Sequence, residues 1–155
     1  MSPSGTPPPP WLFALFPLFF AALWLVIGTL LVRLSGWATL AGYFRADKAE
    51  AGASFKFASG SMGRSALPVR FNGVLFITVN ERGMHLSLFA PFRFMSPALF
   101  IPWSKVASVE ARQFLMARWS VITLRNQWPV LSIRGRAGDA ILAAHARATA
   151  GNRNA

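Results

Sequence analysis

Hydrophobic positions fall into three regimes along the chain. From Trp11 to Val32 they are unbroken, WLFALFPLFFAALWLVIGTLLV, 22 residues without a charged side chain. About 20 helical residues cross a hydrocarbon core of about 30 Å. Lipid offers no partners to open backbone groups, so the run predicts a transmembrane helix over residues 11–34. Trp11 at one end, and Arg33 and Trp37 at the other, are the residue types that settle at membrane interfaces. Next, Trp37, Leu40, Ala41 and Phe44 recur at helical spacing. This piece either continues the anchor or forms a short helix lying in the interface. Residues 45–52, RADKAEAG, read as a linker, so that interfacial helix and linker together occupy 35–53.

From Ser54 the period shortens. Short apolar runs between turn residues predict an all-β domain over 54–150. Seven strands are expected, at Ser54–Ala58, Arg70–Val79, Met84–Phe89, Ala98–Ile101, Val106–Arg112, Arg118–Leu124 and Trp128–Arg134. Met84, Leu86 and Leu88 alternate with His85 and Ser87; Ala107, Val109 and Ala111 alternate with Ser108, Glu110 and Arg112. Gly60, Gly63 and Ser65 in SGSMGRS read as turn residues. Asn80-Glu-Arg-Gly83 ends in a glycine able to take positive φ, and Arg125-Asn126-Gln127 reads as a tight connection. A C-terminal helix capped by Gly138 or Asp139 should present Ile141, Leu142, His145, Ala146 and Thr149 on one face. Residues 1–10, with four successive prolines, read as a disordered tail, as do residues 151–155.

Charge changes the picture in one respect. All 16 basic and 5 acidic residues lie at or after Arg33, giving a net charge of +11 that belongs to the part of the chain after the apolar run. Arg33, Arg45, Lys48 and Lys56 follow the anchor, and no Lys or Arg precedes it. The positive-inside rule places the N-terminus outside and the domain in the cytoplasm, at a cell inner membrane. A cleaved signal peptide would have a basic start and a shorter apolar run, so a retained single-pass anchor is expected. Pro17 either kinks the helix or occupies its first turn. Ala14, Ala21, Gly28 and Ser35 recur every seven residues, a small-residue face that permits weak self-association.

Several short antiparallel strands followed by an amphipathic helix follow the order of the pleckstrin-homology (PH) superfold. Leu99-Phe-Ile-Pro-Trp-Ser-Lys-Val-Ala-Ser-Val-Glu110 resembles a segment common in bacterial PH-like and GRAM-like domains. Asn72-Gly-Val-Leu-Phe-Ile-Thr-Val-Asn-Glu-Arg-Gly-Met-His-Leu-Ser87 is similar to their preceding hairpin. Ser35-Gly-Trp37 resembles the same position of small bacterial membrane proteins of this type. The resemblance covers residues 54–150. It implies a seven-stranded PH-like barrel or sandwich with a C-terminal capping helix, acting as a binding module. It also points to a basic surface at Lys56, Arg64 and Arg70. Pro68 stands where the phosphoinositide pattern K-xₙ-[K/R]-x-R has its first basic residue of the closing pair, so that set is incomplete.

The chemistry of catalysis is missing from the pattern. Asp47, Glu50, Glu81, Glu110 and Asp139 form no paired-carboxylate motif. His85 and His145 stand far apart without cysteine, a poor metal set, and no phosphate loop opens a helix. The expectation is therefore no enzyme, no catalytic residue, no metal and no cofactor. His85 reads as a surface strand residue and His145 as one packed at the barrel edge. Two apolar-basic loops carry the binding expectation: Phe92, Arg93, Phe94 and Met95 in Ala90–Pro97, and Phe114, Leu115, Met116 and Arg118 in Gln113–Trp119. Together these readings give a membrane-anchored module that works as a protein-interaction or accessory subunit. Anionic-lipid headgroup binding at the inner leaflet is the alternative, and nucleic acid, lacking aromatic stacking positions, comes last.

Overall fold

The computed structural model describes residues 9–64, 67–125 and 129–151. Met1–Pro8, the Asn126-Gln127 connection, the Trp128 start of the seventh strand, Ser65 and residues 152–155 lie outside them. One long apolar helix leads into a curled antiparallel sheet of seven strands, closed by a C-terminal helix. This is the expected architecture.

Helix α1 runs from Pro10 to Leu34, long and apolar enough to cross a membrane. Pro10 takes the first helical position, where a missing N–H costs nothing. Pro17 lies inside the helix, so the bond from residue 17 to the Phe13 carbonyl is the one that is lost. Only Gly28 and Val32 of α1 are buried. After it, Ser35 and Gly36 form a tight joint. The Ser35 backbone N–H donates to the Leu31 carbonyl at 2.8 Å. Its hydroxyl donates to the Val32 carbonyl at 2.9 Å and accepts from the Trp37 N–H at 3.2 Å. Gly36 sits at φ 80°, a left-handed backbone that a side chain would strain.

Helix α2 spans Trp37–Phe44. The face read from its spacing is buried: Trp37 and Leu40 are fully covered and Phe44 nearly so. They face the domain, where α2 packs on the fourth strand. The Trp37 indole donates to the Pro97 carbonyl at 2.9 Å, and its ring centroid lies 6.0 Å from that of Phe71. Arg45 bridges Leu99, and the Ala46 N–H reaches the Ala98 carbonyl at 2.9 Å.

The strands are β1 (Ala53–Arg64), β2 (Leu67–Val79), β3 (Gly83–Leu88), β4 (Leu99–Pro102), β5 (Val106–Phe114), β6 (Ala117–Leu124) and β7 (Val130–Arg134), in sheet order β4-β3-β2-β1-β7-β6-β5. Three details of the sheet differ from the sequence reading. Gly60 to Gly63 are strand, not turn, and pair with β2 on one side and β7 on the other. A Cβ on Gly60 would stand 2.7 Å from the Ser132 carbonyl oxygen and 2.9 Å from Ile133 Cδ1, so glycine here serves close strand approach. The Asn80–Gly83 turn depends on Asn80, whose Oδ1 accepts from the N–H groups of Arg82 (3.0 Å) and Gly83 (2.9 Å); Gly83 is absent from the positive-φ glycines. The alternation expected in β5 breaks because a bulge between Val106 and Ser108 shifts the register. Val109 packs against the core, while Ala107 and Ala111 are exposed.

Helix α4 spans Arg136–Gly151, so it starts earlier than expected and Asp139 lies in its first turn rather than at its cap. Its buried face is Ala137, Gly138, Ile141 and Ala144; Ala146 and Thr149 are exposed. Alanines make this face because α4 lies close against β5, β6 and β7. The core beneath it is aliphatic: Ile77, Met84, Leu86, Leu99, Ile101, Ile122, Leu131, Ile133 and Ile141 are each no more than 2% exposed.

Candidate functional site

The β3–β4 connection folds back on the apolar helix. It begins with a four-residue helix, α3 (Ala90–Arg93). Phe92 turns toward α1, its ring centroid 5.4 Å from that of Trp24. Met95 fills the notch above Gly28: a Cβ on that glycine would lie 2.9 Å from the Met95 sulfur, and Thr29 Oγ1 reaches the same sulfur at 3.6 Å. Trp24 lies ten residues before Leu34, about 15 Å along a helix axis. The connection therefore stands level with the C-terminal part of the apolar span. Phe94, between Phe92 and Met95 in sequence, is 94% exposed. Of the small-residue face, Gly28 and Ser35 are occupied by the chain itself, whereas Ala14 and Ala21 are open.

The connection also covers β3. His85, expected on a surface, is buried, and so is the whole of β3. His85 Nε2 and Ser96 Oγ are buried without a hydrogen-bond partner. Burial first, and then the nearby Arg93 guanidinium, pushes the His85 pKa below its ordinary 6.5. His145 packs edge-on to Trp103 at 5.8 Å. Its pKa is lowered too, by burial and then by Arg125.

The second candidate loop has the opposite form. β5 and β6 join through Leu115 and Met116 alone, with Phe114 paired to Ala117. Phe114, Leu115 and Met116 are 71%, 83% and 101% exposed, and Leu115 takes φ 54°. Arg112 and Arg118 flank them, both exposed. In strand order the two loops adjoin the two edge strands, β4 and β5.

The basic residues also separate. Arg64 and Arg70 line one groove with Arg33, which closes the last turn of α1. Lys56 lines a different groove, beside Arg134 and Arg136. Sequence reasoning did not group either set, because the β1–β7 pairing and the return of the hairpin to α1 are long-range. A third feature without a local signal is an aromatic trio on β1–β3. Phe57, at φ 56° and 60% exposed, lies 5.3 Å from Phe76 and 6.1 Å from Phe89 by ring centroids. Among the described residues no group of three His, Cys, Asp or Glu side chains gathers at a point. Two surface ion pairs, Arg82–Glu50 at 2.8 Å and Arg112–Glu110 at 3.4 Å, are of small energetic weight.

No family model matches this chain, and no curated protein matches it.

Proposed function

We propose that this protein is a PH-like binding module anchored in the cell inner membrane by α1, with its N-terminus outside and its domain in the cytoplasm. In that setting it serves as a protein-interaction or accessory subunit. The observation that carries the reading is the β5–β6 tip: three successive apolar side chains, exposed, between two arginines. Apolar and aromatic anchors rimmed by arginine are what interface centres use. Next to the tip, β5 is an edge strand whose outer half is exposed, a place where an extended segment of a partner can add to the sheet. The strand order, with β4 and β5 at the open edges and α4 across the sheet, supports the PH-like reading. The charge step at Arg33 supports the orientation. Anchoring raises the concentration of such a tip near other membrane proteins.

A photoreactive side chain at Met116 in the full-length protein, illuminated in native membranes, tests this. The expected product is a discrete protein adduct that disappears when Phe114 and Leu115 become Ser. Lipid adducts alone at Met116, or a protein adduct indifferent to those two changes, would sink the reading.

A further inference from the structure

A groove of about 720 Å³ opens where the last turn of α1 meets the β1–β2 hairpin. Leu31, Leu34, Pro68 and Val69 supply its apolar lining; Arg33, Arg64 and Arg70 supply its charge. No carboxylate is among the described residues that line it. Its two walls come from distant parts of the chain, so it exists only while the helix and the hairpin lie together.

Two observations select an occupant. Charge is the first. Three guanidinium groups around one groove favour an anion, and guanidinium forks match phosphate oxygens in particular. Level is the second. Arg33 stands where the uncharged run of α1 ends, so the groove straddles the boundary between hydrocarbon and headgroups. A ligand there needs an apolar part beside Leu31, Leu34 and Val69 and an anionic part beside the arginines. We infer that the groove seats one anionic phospholipid of the surrounding leaflet, its phosphate among Arg33, Arg64 and Arg70 and an acyl chain along the leucines and Val69. The lipid touches both walls and so fastens the domain to its own anchor. This is a site separate from the β5–β6 tip and holds whatever the tip binds.

Full-length protein in mild detergent, offered phosphatidylglycerol or phosphatidylcholine in separate arms, can be weighed intact by native mass spectrometry. Retention of phosphatidylglycerol and not phosphatidylcholine is expected. Each membrane-facing arginine is worth enough that Arg64→Gln with Arg70→Gln should lower occupancy about tenfold or more. The matched control, Arg112→Gln with Arg118→Gln, removes the same charge at the tip and should leave occupancy unchanged. Equal loss in both double variants, or equal retention of the two lipids, would overturn the site in favour of general attraction. The unaltered protein gives an independent reading, since a ligand that binds only the folded state raises the unfolding midpoint. Phosphatidylglycerol should raise it and phosphatidylcholine should not; no difference would also count against the site.

Discussion

The β3–β4 connection and the β5–β6 tip share one composition, aromatic and methionine side chains beside arginine, yet meet opposite fates. In the first, Phe92 and Met95 are turned onto Trp24 and Gly28, and Phe94 alone of its apolar candidates stays exposed. In the second, Phe114, Leu115 and Met116 stand in the open. The difference is length. Ten residues separate Leu88 from Leu99, enough for a helical turn and a return path, whereas two separate β5 from β6. A two-residue hairpin loop has no slack with which to fold over its own sheet. Apolar side chains at such a tip are left for another surface to cover, whereas those in a long connection serve the chain's own packing first.

The most forceful way to break this contrast is to unpin the connection. Trp37→Ala removes a fully buried ring and the bond to the Pro97 carbonyl. It should cost about 3–5 kcal/mol, read as a lower unfolding midpoint of the detergent-solubilised protein, with faster tryptic cutting after Arg93. Gly28→Leu acts on the other side of the same contact. The Met95 sulfur occupies the space a larger side chain needs, so a loss of about 1–3 kcal/mol is expected, while Gly28→Ala, which displaces only a flexible side-chain end, should cost less. If cutting after Arg93 is unchanged in Gly28→Leu, the docking of the connection on α1 is wrong.

Acid sharpens the comparison, because a titratable group lies under the covered loop. The folded His85 has its pKa below 6.5, so the fold favours its neutral form. That contribution is complete above pH 6.5, the unfolded value, and is lost as pH falls below it toward the folded pKa. His145 acts in the same direction. The unfolding midpoint should therefore fall on acidification below pH 6.5, and less so in His85→Gln. An equal fall in that variant would remove His85 from the account. The smallest effect belongs to the tip. Leu115 pays for a left-handed backbone, and Leu115→Gly should stabilise by up to about 1 kcal/mol, seen as a higher denaturation midpoint with unchanged cutting after Arg93.

What the sequence disclosed followed from local patterns. The apolar run located α1, and i, i+3, i+4, i+7 spacing gave the buried face of α2. Period-two runs placed the strands to within a few residues, apart from the extension of β1. The errors share a physical cause. Gly60 and Gly63 read as turn because glycine punctuates chains, yet both pair with strands on either side, and at Gly60 the close approach of β7 leaves no room for a Cβ. His85 read as exposed because its neighbours alternate, yet β3 is buried along its whole length, with Arg93 of the following connection close to His85. The two apolar-basic loops were legible as groups because each is continuous in sequence, whereas Arg33 was not grouped with Arg64 and Arg70, which meet it only through the return of a hairpin to α1.

The joint at Ser35 and Gly36 has a mechanical meaning. Its backbone and hydroxyl groups are tied to both flanking helices and its residues are buried, so it is a weld rather than a swivel. A stretch of helix longer or shorter than the local hydrocarbon thickness adjusts by tilting. With α1 in a bilayer, as proposed, a tilt of α1 would pass through this joint as a swing of the whole sheet, and bilayer thickness would set the height at which the β5–β6 tip is carried.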